Sequence, residues 1–341
     1  MRIFYICPDL ETPSGGIKQL YTHVRILREN GYDAYIVHSQ KGFKVNWFEN
    51  NVPIVYTSSS LVVNSDDTLV IAEGYPQNMK LLMPLPAKKV VIALNPAYAF
   101  EMASIGENWK NYGIKWVMAG ARVIEDLIRW SMGINNIHTI GIAVDYDMFN
   151  YVPQIKKPQV AYISRKDFHS PLVEKIIKCN NEAVKKIEFI EIKDLRIEDY
   201  AQILKESDIF LSTSIHEGIH WSILEAMACG CICIGYHGIG GKDYIVGAGD
   251  KQNFILAEST NFIDLAEKLA GLVEMLNNND TQIDTIRQNA FATAARYSPD
   301  FEVKTLLQFW ETFFQAEFAG QPACKLQKND ACVKSLLRRR C

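Results

Sequence analysis

Short runs rich in β-branched residues alternate with amphipathic segments along almost the whole chain of 341 residues. This rhythm is typical of parallel sheets whose faces are covered by helices. Strands are predicted in the first half at 3–7, 34–38, 68–72, 90–94 and 115–118. The second half predicts strands at 160–164, 187–192, 209–212 and 231–236. We therefore expect an α/β protein, and the chain is long enough for two domains with separate cores.

The clearest predicted helix lies between the first two strands. Gly31 stands where a C-terminal cap belongs. The apolar side chains that follow the helical period are Ile17, Leu20, Tyr21, Val24 and Leu27. Residues 151–159 contain two prolines and two lysines, which is typical of a linker. This predicts an N-terminal domain over 1–150 and a C-terminal domain over 160–300. A final aromatic-rich helix over 301–318 opens at Ser298-Pro299, and we expect it to bridge back to the first domain.

The overall charge and the absence of long apolar runs argue against two classes of protein, those that bind nucleic acid and those that span a membrane. A net charge of -3 without a basic stripe argues against nucleic acid as a partner. The sequence shows neither a signal peptide nor an apolar run long enough to cross a bilayer. We therefore expect a cytoplasmic protein. The polar tail over 319–341 ends in arginines, and we favour a solvated, disordered end over peripheral contact with an anionic membrane.

The loop after the first predicted strand reads PDLETPSGGIKQ. Gly15 and Gly16 allow close backbone approach at a helix N-terminus, where free N–H groups attract anions. Lys18 in the first turn opposes the helix dipole unless a negative ligand shares the site, which indicates phosphate. Taken alone, the glycines are explained somewhat better by a merely flexible loop. The dinucleotide fingerprint G-x-G-x-x-G is absent, and a P-loop is excluded because Tyr236 and Asp243 occupy its defining glycine and hydroxyl positions.

The stretch HEGIHWSILEAMACGC, residues 216–231, places two acids eight positions apart. It is predicted to run from a loop into a helix, so Glu217 lies in the loop and Glu225 early in the helix. Both can face one crevice, because ligands of open α/β sheets bind beyond the carboxyl ends of the strands. Two carboxylates there suit a polyhydroxylated ligand. Arg165 and Lys166, after the first strand of the second half, are suited to a diphosphate.

Two other clusters carry weaker indications of metal. Asp145 and Asp147 form a D-x-D arrangement, but acidic turn residues of a connector are at least as good an explanation. Cys229, Cys231 and Cys233 are closely spaced, yet nothing completes a set of four ligands. With Cys7, they are predicted to be small buried residues in a reducing setting.

Taken together, these motifs resemble the retaining glycosyltransferases of family 4, which have the GT-B fold. The most specific likeness is EGIHWSILEAMACGCICIGYHGIGG, followed by SGGIK, YISRK and the junction IGIAVDYDMF. The resemblance implies two Rossmann-like, doubly wound parallel-sheet domains that face a central cleft. It further implies that the N-terminal domain binds the acceptor and the C-terminal domain binds a nucleotide-sugar donor.

The resemblance also implies roles for individual residues. Glu217 would contact donor-sugar hydroxyls, Glu225 would hold the nucleotide ribose, and Arg165 and Lys166 would bind the diphosphate leaving group. No metal or other cofactor is then required, because cations and helix N-termini stabilise the charge. Glu217, Arg165 and Lys166 are the predicted catalytic residues. The predicted substrate-binding residues are Gly15, Gly16, Lys18, Asn95, Gly218, Ile219, His220, Trp221, Leu224 and Glu225.

Some positions depart from the pattern of the family. His220 and Trp221 stand where a glycine and a leucine are usual, so His220 is equally well explained as a sugar ligand or as a loop histidine bonded to backbone. Asn95 and Tyr98 occupy a loop where a histidine is often found.

We predict a glycosyltransferase that moves a sugar from a nucleoside-diphosphate sugar to a glycan, lipid-linked or small-molecule acceptor with retention. The alternative is a non-catalytic nucleotide-sugar-binding or regulatory protein of the same fold. A nucleotide-sugar epimerase or a phosphorylase is a further rival, although no phosphate or cofactor site for a phosphorylase is evident.

Overall fold

The computed structural model describes residues 1–59, 61–164, 169–180 and 185–319. The described residues form two parallel β-sheets, each with helices packed against it. The first sheet contains β1 (Ile3–Ile6), β2 (Ala34–His38), β3 (Ile54–Tyr56), β4 (Thr68–Ala72), β5 (Lys88–Ala93), β6 (Trp116–Ala119) and β7 (Asn136–Thr139). Its helices are α1 (Gly15–Glu29), α2 (Pro76–Leu82), α3 (Pro96–Ala99) and α4 (Arg122–Met132). We call this part the N-terminal domain.

The second sheet belongs to the C-terminal domain. Its strands are β8 (Lys157–Ile163), β9 (Glu188–Ile192), β10 (Ser207–Ser212), β11 (Ile232–Gly235) and β12 (Ile255–Leu256). The helices that follow in the described chain are α5 (His169–Asn180), α6 (Ile197–Glu206), α7 (Trp221–Ala228), α8 (Phe262–Asn277), α9 (Thr281–Ala294) and α10 (Pro299–Glu317). Among these residues, no helix has the length and apolar character that crossing a bilayer would require.

The order of the strands creates one switch point in each sheet. The first sheet runs β3-β2-β1-β4-β5-β6-β7, so successive connections leave β1 and β4 in opposite directions. The second runs β12-β11-β10-β8-β9, with the corresponding reversal between β8 and β10. Ligands of doubly wound sheets bind beyond the carboxyl ends of the strands at such points. The fold therefore marks the loops after β1, β4, β8 and β10 as the places for a site.

Helix α10 packs on the N-terminal sheet although it follows the C-terminal domain in sequence. Its buried aromatic side chains contact rings of that sheet, with centroids 6.4 Å apart for Trp310 and Tyr5 and 6.2 Å apart for Phe309 and Trp116. Glu317 accepts a hydrogen bond from Trp116 Nε1 at 2.9 Å. Ser298 caps the helix by accepting from Phe301 N. The prediction that Ser298-Pro299 opens this helix is confirmed.

Several local predictions are also confirmed. The five apolar side chains predicted for α1 are all buried. Gly31 has φ +83° and follows the helix, and the N–H groups of Gly31 and Tyr32 donate to Arg28 and Leu27 carbonyls. This is a Schellman cap, which glycine adopts without steric cost. The four cysteines predicted to be small core residues are buried and free: Cys7, Cys229, Cys231 and Cys233.

The structure differs from the sequence prediction at the edges of the two sheets and at the linker. Strands β3, β7 and β12 were not predicted, and β3 and β12 are the outermost strands on their sides. The predicted linker over 151–159 is shorter, since β8 begins at Lys157 after a 3-10 turn at Pro153–Ile155. Asp145 and Asp147 are exposed turn residues, and Asp145 accepts from the N–H groups of Met148 and Phe149. This agrees with their interpretation as connector residues.

Candidate active site

A cavity of about 920 Å³ lies between the two domains at both switch points. Its wall includes residues that follow β1, β4, β9 and β10, the last residue of β8, and residues of α1, α6, α7 and α10. The volume is at the upper end of what a small-molecule ligand site occupies. Most of the predicted site residues lie in its wall: the catalytic candidate Glu217 and the substrate-binding candidates Gly15, Gly16, Lys18, Asn95, Ile219, His220, Trp221 and Glu225.

The glycine loop meets the opposite domain directly. A Cβ atom added at Gly15 would lie 3.1 Å from Cε3 of Trp221, so the tryptophan ring covers the start of α1. The N-terminus of α1 carries no side-chain cap and no acid in its first turn. Its free N–H groups and Lys18 therefore give this end of the cavity a positive character.

Glu225 is the electrostatic counterpart of that positive end. It projects from α7, and its Oε2 accepts a hydrogen bond from the Tyr200 hydroxyl at 2.7 Å. Burial raises the pKa of Glu225, whereas the Lys18 ammonium and the Tyr200 hydrogen bond lower it. Lys18 and Glu225 thus interact across the gap between the domains. A carboxylate fixed at one oxygen by Tyr200 is well placed to accept hydroxyl donors at its other oxygen.

Glu217 lies in a loop whose backbone is held from both domains. Its carbonyl accepts from Gly240 N at 3.1 Å, and a Cβ at Gly240 would lie 1.9 Å from the Gly218 carbonyl oxygen. On the other side, a Cβ at Gly218 would lie 2.2 Å from the Leu94 carbonyl oxygen. Gly218 is consequently enclosed by backbone and, contrary to the prediction, is not part of the cavity wall. Only glycine fits between these two loops without moving one of them.

The next residue of the loop also contacts the N-terminal domain, whereas His220 is held within the C-terminal domain. Ile219 packs against Gly120, where an added Cβ would lie 2.2 Å from Ile219 Cδ1. His220 is buried, its carbonyl accepts from the Tyr244 hydroxyl at 2.9 Å, and its ring packs against Gly238. The domains therefore meet tightly around the loop that carries Glu217.

Two predicted residues, Leu224 and Asn95, have other roles than expected. Leu224 is fully buried in the core and is not part of the cavity wall. Both polar atoms of the Asn95 amide bind protein, since Nδ2 donates to the His216 carbonyl and Oδ1 accepts from Ala97 N. Asn95 is thus an N-cap of α3 and a contact between domains. Arg165 and Lys166 lie outside the described residues.

Glu73 and Glu302 are among the acids of the cavity wall that were not predicted from the sequence. Glu73 follows β4 with φ +57°, and its Oε2 accepts from the N–H groups of Leu94 and Asn95 at 3.1 and 3.3 Å. Glu302 projects from α10, is 4% exposed and accepts from Gln19 Nε2 at 2.6 Å. Burial raises the pKa of Glu302 to about 7. Neither acid lies in a recognisable motif, and each reaches the cavity through long-range packing.

A cavity between two doubly wound parallel-sheet domains, lined by loops of both, is the arrangement of the GT-B fold, and the predicted fold is confirmed. Residues 148–275 match the model of the family described as Glycosyl transferases group 1. An alpha-1,6-glucosyltransferase of Actinobacillus pleuropneumoniae serotype 7 (strain AP76) is 25% identical over 252 residues, covering 69% of this chain and 72% of that protein.

Solved structures share the fold at low sequence identity. Anabaena HepE in complex with UDP-glucose superposes with a TM-score of 0.67 at 16% identity, covering 92% of this chain and 99% of that chain. Sucrose-phosphate synthase from Thermosynechococcus elongatus gives 0.70 at 10% identity, with coverage of 92% and 99%. A glycosyltransferase from Rickettsia africae ESF-5 gives 0.63 at 16% identity, with coverage of 94% and 99%. The family match and the relative thus show a likeness to glycosyltransferases, and the solved structures show that the chain shares the GT-B fold.

Proposed function

We propose that this chain transfers a sugar from a nucleoside-diphosphate sugar to an acceptor held mainly by the N-terminal domain, with retention of anomeric configuration and without a metal ion. One observation carries the proposal. Glu217 and Glu225 lie in the wall of one cavity that also contains the glycine loop and Lys18 at the N-terminus of α1. Acceptors for hydroxyl groups and donors for an anion thus share a single space of suitable size.

The nucleoside end of the donor is assigned to Glu225. Tyr200 holds Oε2 of its carboxylate, so Oε1 is the oxygen that we propose accepts from the ribose hydroxyls. Glu217, eight residues earlier on the loop, is proposed to accept from hydroxyls of the transferred sugar. The diphosphate is then assigned to the N–H groups at the start of α1 and to Lys18. For Arg165 and Lys166, the same role rests on the resemblance alone.

Transfer requires stabilisation of the leaving nucleoside diphosphate and exclusion of water. Cations and N–H dipoles fixed near the diphosphate act where negative charge grows in the transition state. The Glu217 loop contacts Leu94 and Gly120, and Trp221 contacts Gly15; we propose that these contacts exclude water on the side of the sugar. A closed cleft favours transfer to the acceptor over hydrolysis of the donor.

The first experiment measures binding and turnover with UDP-glucose, the donor that HepE was solved with. We expect UDP and UDP-glucose each to raise the melting temperature, since a ligand at about 100 times its Kd stabilises the folded state by about 2.7 kcal/mol. Glu225→Gln should weaken both ligands, whereas Glu217→Gln should weaken UDP-glucose and spare UDP. Glu267→Gln, an exposed acid on α8, is the matched control.

Turnover separates the enzyme from its alternatives. Release of UDP that depends on an added sugar acceptor supports a transferase, and NMR of the product shows whether the anomeric configuration is retained. Binding without UDP release would favour the non-catalytic alternative. Failure of a panel of nucleoside diphosphates and their sugars to stabilise the protein would contradict the proposal as a whole.

A further inference from the structure

Glu73 has a backbone conformation that glutamate rarely adopts. It follows the last residue of β4 with φ +57°, in the left-handed region, which costs a non-glycine residue about 1 kcal/mol or more. Glycine at this position would be free of that cost. We therefore expect an interaction of the Glu73 side chain to offset the strain.

The carboxylate of Glu73 holds the turn that follows the neighbouring strand. β5 ends at Ala93, and the next two N–H groups, of Leu94 and Asn95, both donate to Oε2 of Glu73 at 3.1 and 3.3 Å. The Glu73 N–H itself donates to the Ile92 carbonyl at 2.7 Å. One carboxylate oxygen thus fixes the backbone of the turn at two successive residues.

That turn contacts the C-terminal domain on both sides of Glu217. Asn95 Nδ2 donates to the His216 carbonyl at 3.1 Å. Gly218 is so close to the turn that an added Cβ would lie 2.2 Å from the Leu94 carbonyl oxygen and 2.8 Å from Asn95 Cα. The two residues that flank Glu217 in sequence are therefore in contact with a backbone segment that Glu73 fixes.

We propose that Glu73 is a positioning residue that acts across the domain interface. By fixing the turn at Leu94 and Asn95, it sets the position of the loop at residues 216–218 and hence the direction of the Glu217 side chain. The donor-sugar end of the site is thus completed by the acceptor-binding domain. The importance of Glu217 for the sugar rests on the proposed function, whereas the coupling between Glu73 and the loop does not.

Hydrogen exchange tests the coupling without any need for activity. In the full chain, Glu73→Gly removes the strain together with the acceptor oxygen, and Glu73→Gln keeps an oxygen at the same place. We expect Glu73→Gly to accelerate exchange in a peptide over residues 214–220 by about fivefold or more, because the contacts of the loop are loosened. Glu73→Gln should stay close to the wild type, and α8 should exchange at an unchanged rate in both variants.

Thr260→Gly is the matched control, because Thr260 also has a positive φ of 66° but is exposed and precedes α8. It should leave exchange at residues 214–220 unaltered. A second variant, Asn95→Ala, removes the amide bond to His216, and its effect on exchange should not add to that of Glu73→Gly if both act through one turn. Unchanged exchange at residues 214–220 in Glu73→Gly would overturn the proposal.

Calorimetry with UDP and UDP-glucose connects the coupling to the site. In Glu73→Gly we expect UDP affinity to be preserved and UDP-glucose affinity to fall to that of UDP, with Glu73→Gln retaining both. If Glu73→Gln also loses UDP-glucose affinity while its exchange is normal, the charge of Glu73 acts on the ligand itself and the positioning role is wrong. If the wild type binds neither ligand, the proposed function fails, and the exchange result still decides the coupling.

Discussion

Glu302 is a buried acid whose surroundings fix its protonation behaviour. Its Oε1 accepts from Gln19 Nε2, and the same amide nitrogen lies 2.9 Å from Nε2 of His23. Burial lowers the pKa of His23 to about 3, so the imidazole is neutral at pH 7. Lys18 and Arg25 are the cations that act on Glu302, and they offset only part of its desolvation.

The stability of the protein should therefore depend on the protonation of Glu302. Its pKa is about 7 when folded and 4.5 in the unfolded reference, so the folded state binds the proton more tightly. The contribution of Glu302 to the free energy of unfolding is then highest below about pH 4.5. It falls by about 3 kcal/mol as the pH rises to about 7. Glu302→Gln should abolish this fall.

Urea unfolding at several pH values between about 5 and 8 measures the effect. The difference between wild type and Glu302→Gln isolates Glu302 from other titrating groups, and Glu267→Gln on the surface of α8 serves as control. A constant difference across this pH range would mean that Glu302 is ionised in the folded state throughout.

Sequence could identify those site residues whose residue type and local secondary structure both indicate a position at the site. Glu217 and Glu225 follow a buried strand and enter a helix, so strand-to-helix geometry alone brings them to the cavity. Leu224 was wrongly included because adjacency in a motif does not reveal which way a helical side chain points. Glu73 and Glu302 were missed because their positions depend on packing between segments distant in sequence.

At the level of elements, the charge of Lys18 at the start of α1 has opposite effects on the stability of the helix and on the proposed anion site. Lys18 lies in the first turn, where a cation is disfavoured by the helix dipole by a few tenths of a kcal/mol. It also lines the cavity and lowers the pKa of Glu225. The residue therefore destabilises its own helix slightly while it adds positive charge to the proposed diphosphate site.

Lys18→Met should separate these effects. We expect UDP affinity to fall about tenfold, as for the loss of one charge-assisted hydrogen bond, with unfolding stability unchanged or slightly higher. The salt dependence of UDP binding should also become weaker. Calorimetry at two ionic strengths measures both quantities, and Lys80→Met, an exposed lysine on α2, is the control. Unaltered UDP affinity in Lys18→Met would remove Lys18 from the diphosphate site.

The central strands could be predicted from sequence, whereas the short strands at the edges could not. Strands such as β4 and β6 are buried on both faces and consist almost entirely of apolar residues. β3 has three half-buried residues, β12 has two, and β7 contains one fully buried residue. Their pairing is determined by the neighbouring strand, so their own sequences carry little signal.

At the level of the whole molecule, α10 brings the chain back from the C-terminal domain into the core of the N-terminal domain. The chain leaves the N-terminal domain before β8 and returns to it at α10, where Leu306, Phe309, Trp310 and Phe313 are fully or almost fully buried. Thr305 Oγ1 accepts from Gly141 N at 2.8 Å, and Lys88 pairs with Glu317 at 3.1 Å. Part of the N-terminal core is therefore supplied by the last described helix.

Trp310→Ala should consequently lower the stability of the N-terminal domain, although Trp310 is distant from that domain in sequence. Removing a fully buried tryptophan side chain typically costs about 3 to 5 kcal/mol. We expect hydrogen exchange to accelerate in β1 and β6, which face α10, while β10 and β11 keep their protection because they belong to the other sheet. Trp130→Ala, on α4 and 88% exposed, is the matched control and should change stability by less than about 0.5 kcal/mol. Equal acceleration in both sheets would show that the two domains open together, and α10 would then act as a joint between them rather than as part of the first core.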